Sequence, residues 1–446
     1  VDVDTVVSRC AAVRRRLSVT EGRRDGRWIP VAAIASYLLL LLLASRVTDM
    51  RQFWRGVLFV AAADVSFLDT RVWLSGLECH RLGYDSLVDN PCDPWQRPMN
   101  YPRIWLALAP TGLGQEATNT LGVAQALAFW TAVLLVTGRL SRFGGTVLAA
   151  LLCSPTAMLL VERGNNDIVV FCLITASLVL VARSAQATRA SGYALLLLAG
   201  VLKIYPFVTL GIVVREAPRR ALALAGVFAL VVAAYGFSEH RDIARVARVT
   251  VYDTGLSYGV RVFPARVGQD VAAIVDTFRS ADPAAVLRVA VPVAAFVAAL
   301  LWMISTAKRL STIVPAPGTL DRRSGCIDPL DALRAGGLVF LGTFVLGQSS
   351  WDYRLVFLLF AVPELLRRIE RDTDPARLAS TGLVAMLASF YLGARSFLNL
   401  DEVANWIVAF CLIALLWTTR PWGGRKADVA DAGMLTSGTP AKAEGT

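Results

Sequence analysis

The sequence is short of charge and of histidine. Charged residues fill 18% of its 446 positions and hydrophobic ones 55%, whereas a soluble chain carries about 25% charge; an ordinary soluble globular protein is excluded. Only His80 and His240 are present, and no Cys/His cluster has metal-ligand spacing, which argues against a zinc-type metal enzyme. There is no glycine-rich phosphate-binding loop, so a nucleotide-driven pump would lack its engine. No internal repeat is found, although repeated halves are a usual mark of secondary transporters.

What the sequence does have is apolar stretches that approach the ~20 residues needed to cross about 30 Å of hydrocarbon. The clearest are 29–44, 121–136, 168–182, 221–237, 285–306 and 406–418. The formal charge of +11 does not point to nucleic acid, because Arg and Lys cluster at alternate ends of these stretches, the positive-inside pattern of a spanning protein. The basic start (Arg14, Arg15, Arg16, Arg23, Arg24, Arg27) has no small-residue cleavage site and reads as a cytoplasmic tail, 1–27.

The expected fold is an all-α polytopic membrane protein with about twelve spans: 28–45, 117–138, 144–161, 168–183, 191–203, 206–214, 221–237, 285–306, 335–348, 355–366, 377–394 and 403–419. The expected location is the plasma (inner) membrane, with both termini cytoplasmic. One multi-span domain covers 28–426, with long outer segments at 46–116 and 238–284, and 427–446 is expected to be a disordered tail. Each expected inner loop is basic: Arg139/Arg142, Arg183/Arg189, Arg215/Arg219/Arg220, Lys308/Arg309, Arg367/Arg368/Arg371 and Arg420/Arg425/Lys426. The stretch 46–103 instead balances seven Arg with seven Asp or Glu.

Within the first outer segment, 57–67 is too short to span and is expected to dip into or lie along the surface. A helix-like run follows, with apolar residues at Val72, Trp73, Leu77 and Leu82, expected to lie at the membrane interface. Asp69 at its start has two readings: a helix N-cap, or a carboxylate facing a lipid-linked head group. The proline-rich stretch 83–105 forbids regular structure. Its Asn100, Tyr101 and Arg103 suit gripping a sugar, though a rigid plug fits equally. Cys79 and Cys92 are the only cysteines on the expected outer, oxidising side, and a disulfide is predicted between them, worth roughly 3 kcal/mol. It would pin the Asp69 helix to the Asn-Tyr-Pro loop, leaving Cys10, Cys153, Cys172, Cys326 and Cys411 as free thiols.

Three polar turns interrupt later apolar runs on the same expected side: Glu162-Arg163-Gly164-Asn165-Asn166-Asp167, Lys203-Ile204-Tyr205-Pro206 and Ser350-Trp351-Asp352-Tyr353-Arg354. Each reads either as a plain hairpin or as part of a site. Lysine at mid-membrane costs about 3 kcal/mol unless paired, or it snorkels. Lys203, Arg354 and Arg163 are the expected phosphate ligands, and Asn165, Asp167, Tyr205, Trp351 and Asp352 the expected substrate contacts.

The run Asp69-x-Arg-x-Trp, then Gly83-Tyr84-Asp85, then Asn100-Tyr101-Pro102 resembles the first periplasmic loop of polyprenyl-phosphate-dependent mannosyltransferases. These are C-type membrane glycosyltransferases of actinobacteria, glycosyltransferase family 87. The Arg163-Gly164-Asn165 turn, the Lys203-Ile204-Tyr205-Pro206 break and Ser350-Trp351 resemble later landmarks of that group, in order, over most of 29–370. One departure stands out: members often carry histidine after the Ser-Trp pair, where this chain has Asp352. The resemblance implies a cavity under the first loop, a polyprenyl-phosphate donor carrying mannose, a lipid or glycan acceptor, and Asp69 as the base. No cofactor or metal is implied. The chemistry stands by itself: a lipid phosphate leaves without a general acid, so one carboxylate suffices for inverting transfer, whereas hydrolases need two. Two competing readings are a transporter or flippase of envelope lipids, and a non-catalytic envelope-assembly protein.

Overall fold

The computed structural model describes residues 26–250, 253–279, 301, 326–347, 350–370, 376–392 and 399–418. The expected tails, apart from Gly26 and Arg27, lie outside the described residues, as do Cys10 and the expected span 285–306 except Leu301. Among the described residues there are helices and no strand; a single antiparallel bridge pairs Ser257 with Trp351.

The described expected spans all fall on helical segments, but their lengths differ from the expectation. Among the described residues, four helices are long and apolar enough to cross a membrane: Gln115–Thr137, Pro218–Ser238, Pro329–Leu346 and Leu400–Thr418. The chain is therefore a membrane-associated helical protein. The expected span 144–161 is two helices, Arg142–Leu152 and Pro155–Arg163, bent by 53°. Proline cannot donate into the preceding turn, and Ser154 caps the new helix by accepting from Ala157 N at 3.2 Å. The expected spans 206–214 and 355–366 contain 3-10 helices, Tyr205–Arg215 and Asp352–Phe360, the second followed by the α-helix Val362–Glu370. Their rise of about 2.0 Å per residue carries a short segment further than an α-helix would.

The core is centred on aromatic packing between helices. Phe171 stacks on Phe360 at 4.2 Å and meets Phe129 edge-on at 5.2 Å. The helix Gln186–Lys203 has Arg189 in its first turn and Lys203 at its last residue, about 21 Å apart at 1.5 Å per residue. At the Arg189 end a basic network closes on buried Glu216, which accepts from Tyr193 at 3.0 Å and faces Arg189 at 3.7 Å. Nearby, Arg215 pairs with Asp331 at 2.8 Å. The candidate site lies at the Lys203 end.

The expected helix forms over Leu68–Arg81, and most of its apolar residues are covered. Val72, Trp73, Leu74 and Leu77 are buried against Met99, Tyr101, Trp105 and Leu106 of the chain's own loop. Gly76 permits this approach, since a Cβ there would come within 2.5 Å of Met99 Sδ. Only Leu82, 70% exposed, is left out. In 57–67, Val60 and Ala62 join the main core, whereas Val57 and Phe59 stay exposed. Cys79 and Cys92 form the expected disulfide, with Cα atoms 5.6 Å apart. Gln115 adds a second tie, donating to Cys92 O at 2.9 Å and accepting from Arg71 at 2.9 Å. Cys153, Cys172, Cys326 and Cys411 are free.

Candidate functional site

Asp69 sits in the first turn of its helix but caps nothing: Phe67 holds the N-cap position, and no side chain caps this end. Its Oδ2 instead accepts from Asn165 Nδ2 at 2.6 Å, and Arg163 approaches Oδ1 at 3.9 Å. Arg163 ends the helix Pro155–Arg163, and Asn165 lies in the turn after it. Gly164 makes that turn possible with φ +57°, and a Cβ there would meet Thr70 Oγ1 at 2.5 Å. Thr70 also donates to Gly164 O at 2.7 Å, which locks the two elements together.

Asn165 continues the chain of contacts. Its Oδ1 accepts from Lys203 Nζ at 2.7 Å and from the Asp167 backbone N–H at 2.9 Å. Asp167 is fully buried and gathers three donors: Lys203 at 2.5 Å, Tyr205 at 2.8 Å and Arg354 at 3.4 Å. Lys203 and Tyr205 reach the same carboxylate because Ile204 turns sharply between them, at φ +64° and ψ −61°. This is a γ-turn conformation, strained for a β-branched residue.

Aromatic rings back each cation. Arg163 lies 5.3 Å from the Trp351 ring centroid, Lys203 5.3 Å from Tyr101 and Arg354 4.9 Å from Tyr205. Such contacts stabilise a cation withdrawn from water. The structure thus brings together Asp69, Tyr101, Arg163, Asn165, Asp167, Lys203, Tyr205, Trp351 and Arg354. The two carboxylates differ in access: the Asp69 side chain is 20% exposed and the Asp167 side chain 0%.

Arg103 and Asp352 lie elsewhere. Arg103 bridges Asp242 at 2.5 Å and Asp85 at 3.1 Å, tying the 83–105 loop to the helix His240–Val249. Its hydrogen bond holds the Asp242 carboxyl below the usual carboxylate range. Asp352, on the 3-10 helix after Trp351, is buried toward Asp401, Arg266 and Glu402. Its Oδ1 has no hydrogen-bond partner. Asp352 therefore faces a different group of charges from Arg354. Asn100 flanks Tyr101, and its Oδ1 is buried without a hydrogen-bond partner.

Two participants were not singled out in the sequence. Tyr353 is buried within electrostatic reach of Asp69, Arg354, Asp167 and Arg163; its place between Asp352 and Arg354 was the available signal. Trp105 donates to Leu202 O at 3.1 Å and meets the Tyr101 edge, bracing the lysine end from the loop side. Among the described residues no group of His, Cys, Asp and Glu could hold a metal ion. Comparison with models of protein families, with curated proteins and with solved structures finds no match to this chain.

Proposed function

We propose that the chain is a membrane glycosyltransferase, moving a hexose from a polyprenyl-phosphate donor to a hydroxyl of a lipid or glycan acceptor, with Asp69 as general base. The observation that carries this reading is the unequal pair of carboxylates. Asp167 is enclosed by Lys203, Arg354 and Tyr205, while the Asp69 side chain stays partly exposed with Arg163 beside it. Among these groups three cations face two carboxylates, which suits a monoanionic phosphodiester.

In the proposed step, Asp69 takes the proton of the acceptor hydroxyl as its oxygen attacks the anomeric carbon in line. The bond from that carbon to the phosphate oxygen breaks, and the lipid phosphate departs with the electron pair. Lys203, Arg354 and Arg163 stabilise the charge that grows on it. Mannose is the proposed sugar, and Asn100, Tyr101 and Trp351 are its proposed contacts. The donor reaches the site through the bilayer. The proposed topology has twelve spans, with the Lys203 end on the outer face and the basic network around Arg189, Arg215 and Arg220 inside.

The test is reconstitution in vesicles with radiolabelled polyprenyl-phosphate mannose and extracted envelope glycolipids. A labelled glycolipid with inverted anomeric configuration supports the proposal. Lipid movement across the vesicle without covalent product would replace it with the flippase reading.

A further inference from the structure

Glu162 immediately precedes Arg163 at the end of the helix Pro155–Arg163, yet it does not touch the charge cluster. It is 4% exposed. Its Oε1 accepts from Ala63 N at 3.0 Å and its main-chain oxygen from Phe67 N at 2.8 Å. Its Oε2 is buried and has no hydrogen-bond partner. A lone carboxylate in such a place is expensive to keep, so its position calls for a return beyond packing.

The stretch it holds leads straight into the Asp69 helix. From the other side, Arg55 donates to Ala62 O through Nε at 2.9 Å and Nη2 at 2.5 Å, and faces Asp64 at 3.7 Å. Residues 62–64 are thus clamped between Arg55 and Glu162. Phe67 then adopts a left-handed conformation, φ +54° and ψ +40°, uncommon for a bulky residue, while its N–H is fixed by Glu162 O. Asp69 lies two residues on. The consecutive residues 162 to 165 therefore each engage the entry or first turn of the Asp69 helix: Glu162 at Ala63 and Phe67, Arg163 at Asp69, Gly164 at Thr70 and Asn165 at Asp69.

We propose that Glu162 is a positioning residue for Asp69, its carboxylate fixing the backbone at Ala63 so that the Asp69 oxygens meet Asn165 and the acceptor hydroxyl. This rests on the transferase reading, in which Asp69 must be placed to within a fraction of an ångström. A misplacement of about 1 Å costs on the order of 100-fold in rate. The agent is the accepting oxygen rather than the charge, so glutamine should substitute for glutamate where leucine cannot.

The experiment compares Glu162→Leu and Glu162→Gln in the vesicle assay, separating kcat from donor KM, with detergent melting curves as the check on folding. Glu162→Leu is expected to lower kcat about 30-fold with donor KM changed by less than about twofold, and Glu162→Gln to stay within about threefold of the unmodified chain. If Glu162→Leu does not fold, Ala63→Pro removes the donor of the same hydrogen bond and is held to the same expectation. Unimpaired kcat in the leucine variant, or in its proline substitute, overturns the proposal; so does equal impairment by glutamine. Asp69→Asn is run alongside. Activity in that variant would bring down the transferase mechanism itself, whereas an inactive Asp69→Asn with a fully active Glu162→Leu removes only the role of Glu162.

Discussion

The Asn165 amide donates to Asp69 at 2.6 Å across 96 residues of sequence. The orientation of that amide is not arbitrary. Its oxygen meets two donors, Lys203 Nζ and the Asp167 N–H, so its nitrogen must point at the carboxylate. One small side chain thereby links the proposed base to the proposed phosphate ligands.

Asp69→Asn keeps the shape of the side chain and removes its basicity. The rate of transfer from a polyprenyl-phosphate sugar is expected to fall about 1,000-fold, within the range for loss of a general base, with donor KM little changed. Initial rates over a donor series check this, and full activity would remove Asp69 from the mechanism.

Asp167→Leu should do different damage. It leaves Lys203 without its ion-pair partner and takes a carboxylate from Arg354 and a hydrogen-bond acceptor from Tyr205. Breaking one side of a buried ion pair costs about 3 kcal/mol or more. A large drop in melting temperature in detergent is expected, together with loss of donor binding. A melting temperature equal to that of the unmodified chain would show that Asp167 does not hold the cluster together.

Removing the disulfide tests the scaffold of the 83–105 loop. Cys79→Ser with Cys92→Ser opens a link spanning 13 residues, worth roughly 3 kcal/mol by chain entropy. Faster proteolysis of the 83–105 loop is the expected result. Alkylation of the unmodified chain, followed by peptide mass analysis, should show both cysteines protected until reduction.

The latch between the 83–105 loop and the helix His240–Val249 should depend on pH with a definite sign. Arg103 lowers the Asp242 carboxyl below its ordinary value, and a depressed carboxyl stabilises the folded arrangement above its unfolded pKa of about 3.9. Hydrogen exchange in the helix His240–Val249, corrected for intrinsic rates, should therefore stay flat from about pH 8 to pH 5. Protection should be lost only as the pH falls through the lowered value. Loss near pH 6 would assign the latch to some other group.

The membrane character, the apolar helices and the residues at their polar ends were legible in the chain itself. Burial of long uncharged runs is a bulk preference that needs no partner, and a lysine or arginine that interrupts one stands out. The disulfide was also legible, because two cysteines on one side of the expected topology had only each other.

Partner choice was not legible. A sequence says what Asp69, Asp352 or Arg103 can donate or accept, but not which group meets it. The same charge types went to Asn165 for Asp69, to the surroundings of Arg266 and Asp401 for Asp352, and to Asp242 for Arg103. Helix lengths were blurred as well, since the bend at Pro155 and the 3-10 segments depend on local packing and capping.

The amino-acid order by itself determined that this protein enters a membrane and which polar residues lie at the ends of its apolar runs, because hydration free energy acts on each residue alone. Only the tertiary structure decided that Asp69 meets Asn165, that Asp167 collects Lys203 and Arg354, and that Glu162 grips the approach to the Asp69 helix. Hydrogen bonds and ion pairs are short-ranged and directional, so which pairs form is set by how distant segments pack.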